Sequence, residues 1–173
     1  YQMGEGLADE CINQEIDMLL GPGVNLKRYM LCGRNFEYFS EDPVLSGELA
    51  AGYINGLQSK GVGACIKHYA LNNQELHREY ESIEVEERVM REIYLKSFEI
   101  AIRKSSPYAV MCAYNKVDSI WCSENRMLLR EILKDEWGYK GIVMSDWGAV
   151  HDVRRAVQAG IDMQMPRNAN IIQ

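Results

Sequence analysis

GYKGIVMSDWGAVHDVRRAVQAGIDMQM, residues 138–165, holds one complete unit of the fold. Gly138 ends a preceding helix, and residues 141–145 form a short apolar run of strand length. Residues 149–159 have helical spacing, and Gly160 stands where a helix commonly stops in a left-handed residue. Residues 161–165 read as the next strand. Strand, helix and strand in succession imply parallel neighbours, because only a crossover can bring the chain back in the same direction.

Working outward, the same alternation covers the whole chain. Residues 1–13 read as a helix and 16–20 as a strand stopped at Gly21-Pro22-Gly23, with a loop through Arg34. Asp42 before Pro43 is an N-cap followed by a residue suited to a first helical turn, and that helix runs to about Lys60. Strand 62–68, a polar loop over 72–84, helix 85–104, strand 108–113 and an amphipathic helix over 125–137 complete the series. The strands are apolar without alternation, as expected when both sheet faces are covered. An open doubly wound sheet and part of a (β/α)8 barrel both fit. Gly21-Pro22-Gly23 does not continue into the glycine pattern of a dinucleotide fold. Polar residues stand instead at the ends of several strands (Lys67-His68, Tyr114-Asn115, Asp146-Trp147), and a barrel gathers those ends at one catalytic mouth. The expected class is therefore α/β: an incomplete TIM-type barrel with about five of the eight strands, in a single domain over residues 1–173. The abrupt ends and the strand count both suggest a piece of a longer chain.

Composition bounds the function. The chain of 173 residues is 47% hydrophobic and 25% charged, with a formal charge of −6. An acidic chain without a basic patch argues against nucleic acid, and its apolar runs are too short for a bilayer. Five widely spaced cysteines (Cys11, Cys32, Cys65, Cys112, Cys122) contain no CxxC pair, so reduced thiols and a cytoplasmic setting are expected. A signal peptide upstream of Tyr1 would change that expectation. His68, His77 and His151 match no metal-ligand spacing, and no cofactor is expected.

Asp146 follows a strand directly and has an indole beside it, a pairing that suits a sugar: its C–H face stacks on the ring while a carboxylate waits below the anomeric carbon. The competing reading makes Asp146 the cap of the next helix. Lys67 and His68 can donate to sugar hydroxyls, and a Lys inside an apolar strand needs a partner, since burying an unpaired ammonium is costly. Arg34 offers a fork of donors, or else pairs with Glu37 or Glu41.

GRNFEYFSEDP (33–43), IKHYALNNQELHR (66–78), VMCAYN (110–115) and WGYKGIVMSDWGAVHD (137–152), in that order, resemble the barrel domain of glycoside hydrolase family 3, the β-glucosidase type. EERVMREIYLKSFEIAI (86–102) resembles the helix between the second and third of these. The resemblance implies Asp146 as the nucleophile, Trp147 at the entrance, Arg34, Lys67 and His68 as ligands of the glycone hydroxyls, Tyr114 near the anomeric centre and Met111 as an apolar wall. It also implies that the general acid comes from an α/β sandwich domain outside these residues, with one further sugar ligand upstream. The family often has Asn-Gly where Asp118-Ser119 stands here. The hexosaminidase branch carries Phe-Pro-Gly after Lys-His, where this chain has Tyr69-Ala70-Leu71.

The implied reaction is hydrolysis of terminal β-linked glucosyl residues of a glucoside or oligosaccharide with retention, through a covalent intermediate. Alone, the chain is expected to be inactive, with raw sheet edges that need missing strands or self-association. A Schiff-base lyase using Lys67 and a non-catalytic sugar-binding piece are the competing readings.

Overall fold

The computed structural model describes residues 1–166. Four parallel strands form the main sheet: β1 (Met18–Leu19), β2 (Gly63–Tyr69), β4 (Ala109–Cys112) and β7 (Ile142–Met144), in the order β1-β2-β4-β7. The spatial order repeats the chain order and never reverses, which is the arrangement of a barrel arc and not of a doubly wound sheet. The expected strand at 161–165 is reduced to a parallel bridge between Met144 and Met163. It is nevertheless tied to β7, because Met163 N–H donates to the Val143 carbonyl at 3.1 Å and Ser145 N–H to the Met163 carbonyl at 2.9 Å.

The strands sort their side chains by face. Ile66, Val110, Cys112 and Val143 join the large core under the helices. Cys65, Ala109, Met111 and Met144 point the other way and form a second, sulfur-rich layer with Met18, Leu20 and Met165. That second face is the barrel interior. On the outer face Tyr69 packs edge-on against Phe98 (5.2 Å between centroids) and Trp137 (5.9 Å), and its hydroxyl donates to the Leu128 carbonyl at 3.1 Å. All five cysteines are buried free thiols.

The helices are α1 (Gln2–Asn13), α2 (Pro43–Gln58), α3 (Glu87–Val89), α4 (Lys96–Ser105) and α5 (Val153–Ala159). Asp42 caps α2 as expected, accepting from Leu45 N–H at 2.7 Å. Added Cβ atoms on Gly4 and Gly56 would collide with the backbone at Tyr53 and Tyr1, so α1 and α2 cross in contact. The helix expected over 85–104 is not continuous: a π-helical turn, Met90–Tyr94, separates α3 from α4, with Leu95 N–H reaching the Met90 carbonyl at 2.8 Å. The helix expected over 125–137 is π-helical over Met127–Glu136 and still buries its Leu128, Leu129, Ile132 and Leu133 face. Apolar spacing cannot tell an i→i+4 ladder from an i→i+5 one when both bury the same side.

The loop expected over 72–84 and the connection after β4 together contain a small sheet. β3 (Ser82–Ile83) pairs in parallel with β5 (Lys116–Val117), and β5 pairs antiparallel with β6 (Ile120–Trp121). The hairpin turn is Asp118-Ser119, both residues at positive φ (47° and 66°), as a two-residue hairpin of this hand requires. β3 lies beyond the C-terminal end of β2, and β5 and β6 beyond that of β4, so this sheet braces the barrel's mouth. Similarly, the segment after Gly21 stays with the sheet it was expected to leave: Val24 N–H donates to the Lys67 carbonyl at 2.8 Å, and Lys67 N–H to the Pro22 carbonyl at 3.0 Å.

Candidate active site

Asp146 lies two residues past Met144, the last residue of β7, and is 7% exposed. Ser145, fully buried, pins this end of the strand: Met165 N–H donates to its hydroxyl at 2.8 Å. One carboxylate oxygen of Asp146, Oδ1, accepts from Trp147 N–H at 2.7 Å. The other, Oδ2, is buried and meets no hydrogen-bond donor among the described residues; the His68 ring Nε2 stands 3.8 Å away. The Asp146 carboxylate therefore faces a buried imidazole at the C-terminal end of a parallel strand, where a barrel places its reacting groups. Helix capping, the competing role, belongs to another residue: Asp152 accepts from Arg155 N–H at 3.0 Å at the start of α5. The helix expected from Ala149 accordingly begins at Val153, after a loop in which Gly148 has a φ of +74°.

Lys67 and His68 both reach the site although they are neighbours on one strand. The register of β2 against β4 shifts between Ile66 and Tyr69, which breaks the strict alternation of side chains there. Asn25, buried, holds the break with two hydrogen bonds: its Nδ2 donates to the His68 carbonyl (2.9 Å) and its Oδ1 accepts from His68 N–H (2.8 Å). The His68 ring is 1% exposed, and burial, helped by the charges of Arg34, Lys67 and Arg78, lowers its pKa well below the usual range. The imidazole is therefore neutral. Its Nδ1 lies 3.1 Å from the Tyr38 hydroxyl. Burial raises the Tyr38 phenol strongly, so it stays an O–H that can donate to Nδ1. The Asp146 carboxylate, 3.8 Å from Nε2, favours the tautomer with its proton on Nε2, and we assign the ring that way, leaving Nδ1 to accept from Tyr38.

Arg34 pairs with Glu37 through Nε, as the sequence allowed, and Glu37 also takes Lys67 through its second oxygen at 3.3 Å. Burial works to raise the Glu37 pKa, but the Arg34 hydrogen bond and the Lys67 charge outweigh it and the net shift is downward. Tyr114 donates to the Trp147 carbonyl at 3.0 Å, and the Arg78 guanidinium sits 4.4 Å from its ring centroid. Burial and then the negative charge of Asp146 push the Tyr114 phenol up to about 12. Met111 pairs in register with Met144 and is 2% exposed, directly below the site. Trp147 is 44% exposed, at the rim.

Of the seven residues singled out in the sequence, His68 faces Asp146, Tyr114 bonds to the backbone of Trp147 and Met111 lies beneath them, while Arg34 and Lys67 are joined through Glu37 and act on His68 by charge. Sequence reasoning missed Asn25, Glu37, Tyr38, Ser145 and Arg78 as parts of the site. Glu37 appeared only as a possible partner for Arg34, and Asn25 lies in a loop with no pattern to single it out. His151 and His68 do not come together. His151 stacks on Trp121 (3.8 Å between centroids) in a separate groove of about 930 Å³, where Lys116 covers the indole at 4.3 Å.

Residues 1–173 match the family model described as the glycosyl hydrolase family 3 N terminal domain over their whole length. The chain belongs to glycosyl hydrolase family 3. It is 56% identical over 170 residues to thermostable beta-glucosidase B of Acetivibrio thermocellus, covering 98% of this chain and 22% of that protein. It is 48% identical over 166 residues to an exo-alpha-(1->6)-L-arabinopyranosidase of Bifidobacterium breve, again covering 22% of that protein. Beta-glucosidase 3B of Thermotoga neapolitana, solved in complex with glucose, superposes with a TM-score of 0.94 at 51% identity, over 95% of this chain and 23% of that one. The chain therefore spans less than a quarter of the length of these family 3 relatives, and its sheet is part of their TIM-barrel domain.

Proposed function

We propose that these residues supply the nucleophile and the innermost sugar-binding groups of a retaining β-glycosidase that removes terminal glucosyl residues. The observation that carries the reading is the Asp146 carboxylate: 7% exposed, with Oδ2 3.8 Å from the buried His68 ring, at the mouth of a barrel arc. Asp146 attacks the anomeric carbon as the bond to the leaving oxygen breaks, and a general acid protonates that oxygen. Water then adds to the anomeric carbon, the acid now acting as base, and the ester bond to Asp146 breaks. Two inversions give net retention. His68 Nε2–H, Arg34 and Lys67 donate to glycone hydroxyls, Trp147 lines the entrance, Tyr114 stands near the anomeric carbon and Met111 forms the floor. The general acid comes from outside these residues, so the activity belongs to the longer protein. A β-glucosidase and an arabinopyranosidase among the relatives support a glycosidase and leave room for a glycone other than glucose.

Asp146→Ala in the full-length protein tests the nucleophile. Turnover of 4-nitrophenyl β-glucoside should fall by at least about a thousandfold. Azide should restore release of nitrophenol and give the α-glycosyl azide, because a small anion entering the space of the carboxylate makes a single inversion. Azide rescue with a β-azide product, or near-parental activity without azide, would refute the assignment.

A further inference from the structure

Glu37 is a part-buried carboxylate set between two cations and followed directly by Tyr38, whose hydroxyl meets His68. Its geometry explains its presence. One oxygen takes Arg34 Nε and the other takes Lys67 Nζ at 3.3 Å, so one side chain spans the two cations assigned to the glycone. The three side chains are 16–21% exposed, enough to face a ligand and too little for solvent to screen the ion pairs fully. The backbone that carries Glu37 is itself tied down. Asn35–Glu37 is a 3₁₀ turn, and Asn35 Nδ2 donates to the Tyr29 and Met30 carbonyls at 2.9 and 3.2 Å. The next residue, Tyr38, meets His68. Consecutive residues of one turn therefore address consecutive residues of β2.

Resting on the glycosidase reading, we propose that Glu37 is a positioning residue: it holds the Arg34 fork and the Lys67 ammonium in one geometry, so that sugar hydroxyls meet preoriented donors. Lys carries a long flexible stem, and an unheld ammonium would lose orientation each time a sugar binds. Glu37 touches no reacting atom; it acts through the two cations.

The test is a double-mutant cycle on the full-length protein with 4-nitrophenyl β-glucoside. Glu37→Gln keeps the shape and removes the charge, and it should lower kcat/KM by about 10–100-fold with the thermal midpoint nearly unchanged. In a Lys67→Ala background the same change should cost only about the square root of that factor, roughly 3–10-fold, because half of what Glu37 holds is already gone. A residue serving the fold alone would cost the same factor in both backgrounds, and that result would overturn the proposal, as would parent-like kcat/KM in Glu37→Gln. Should Glu37→Gln fail to fold, Glu37→Asp decides: it keeps the charge but is one methylene too short to span both cations. A loss of about fivefold or more would support the proposal, and parental kcat/KM would overturn it. If the parent protein itself hydrolyses no β-glycoside, the glycosidase reading falls and this proposal with it. An active parent with an insensitive Glu37 overturns this proposal alone.

Discussion

Asp146, His68 and Tyr38 form a line in which each member sets the next. Tyr38 presents its hydroxyl to His68 Nδ1, and His68 turns Nε2 toward Asp146. Tyr38→Phe keeps the packing and strands a buried ring nitrogen, which should cost about 1–3 kcal/mol of stability. Urea unfolding should show a lower midpoint with an unchanged slope, and the ¹⁵N shifts of His68 should report a changed tautomer population. Unchanged stability and unchanged shifts would remove Tyr38 from this role. The placement of Asp146, Lys67 and His68 at strand ends was legible in the sequence, as was the need of Lys67 for a partner, because strands end where polar residues interrupt apolar runs and a Lys in an apolar run demands a counter-charge. Glu37, Tyr38 and Asn25 were not, because their importance comes from contacts across 30 to 43 residues that no local pattern records.

At the scale of elements, strand existence was easier to read than strand length. β4 and β7 fall inside the expected runs and β2 passes the end of its own by one residue, Tyr69, since apolar runs bounded by Gly and Pro have few other outcomes. The π-helical turns and the three-stranded mouth sheet were missed: their strands are two residues long, and nothing in Ser82-Ile83 distinguishes a strand from a loop. The β5–β6 turn supplies a prediction of its own. Ser119 sits at a φ of +66°, where a Cβ is strained, and Ser119→Gly should stabilise the protein by about 0.5–1 kcal/mol, the relief exceeding glycine's entropy cost. Thermal denaturation checks this, and a lower midpoint would mean that the turn carries no such strain. The backbone N–H of Ser119, which donates to Ser82 Oγ at 2.8 Å, survives the change.

For the molecule as a whole, the sheet order β1-β2-β4-β7 settles the choice between barrel arc and doubly wound sheet that the sequence left open. A barrel needs eight strands, and these residues provide four and a bridged fifth. The strands' inner face, with Cys65, Met111 and Met144, forms the floor on which the proposed chemistry stands. Everything proposed about activity depends on a covalent bond between Asp146 and a sugar. The direct measurement is to treat the full-length protein with a dinitrophenyl 2-deoxy-2-fluoro-β-glucoside, which slows breakdown of the intermediate, then digest it and locate the added sugar by mass spectrometry. The account predicts the label on Asp146, in the peptide containing Ser145-Asp146-Trp147. A label on another carboxylate, Glu37 included, or continued turnover with no label at all, would contradict it.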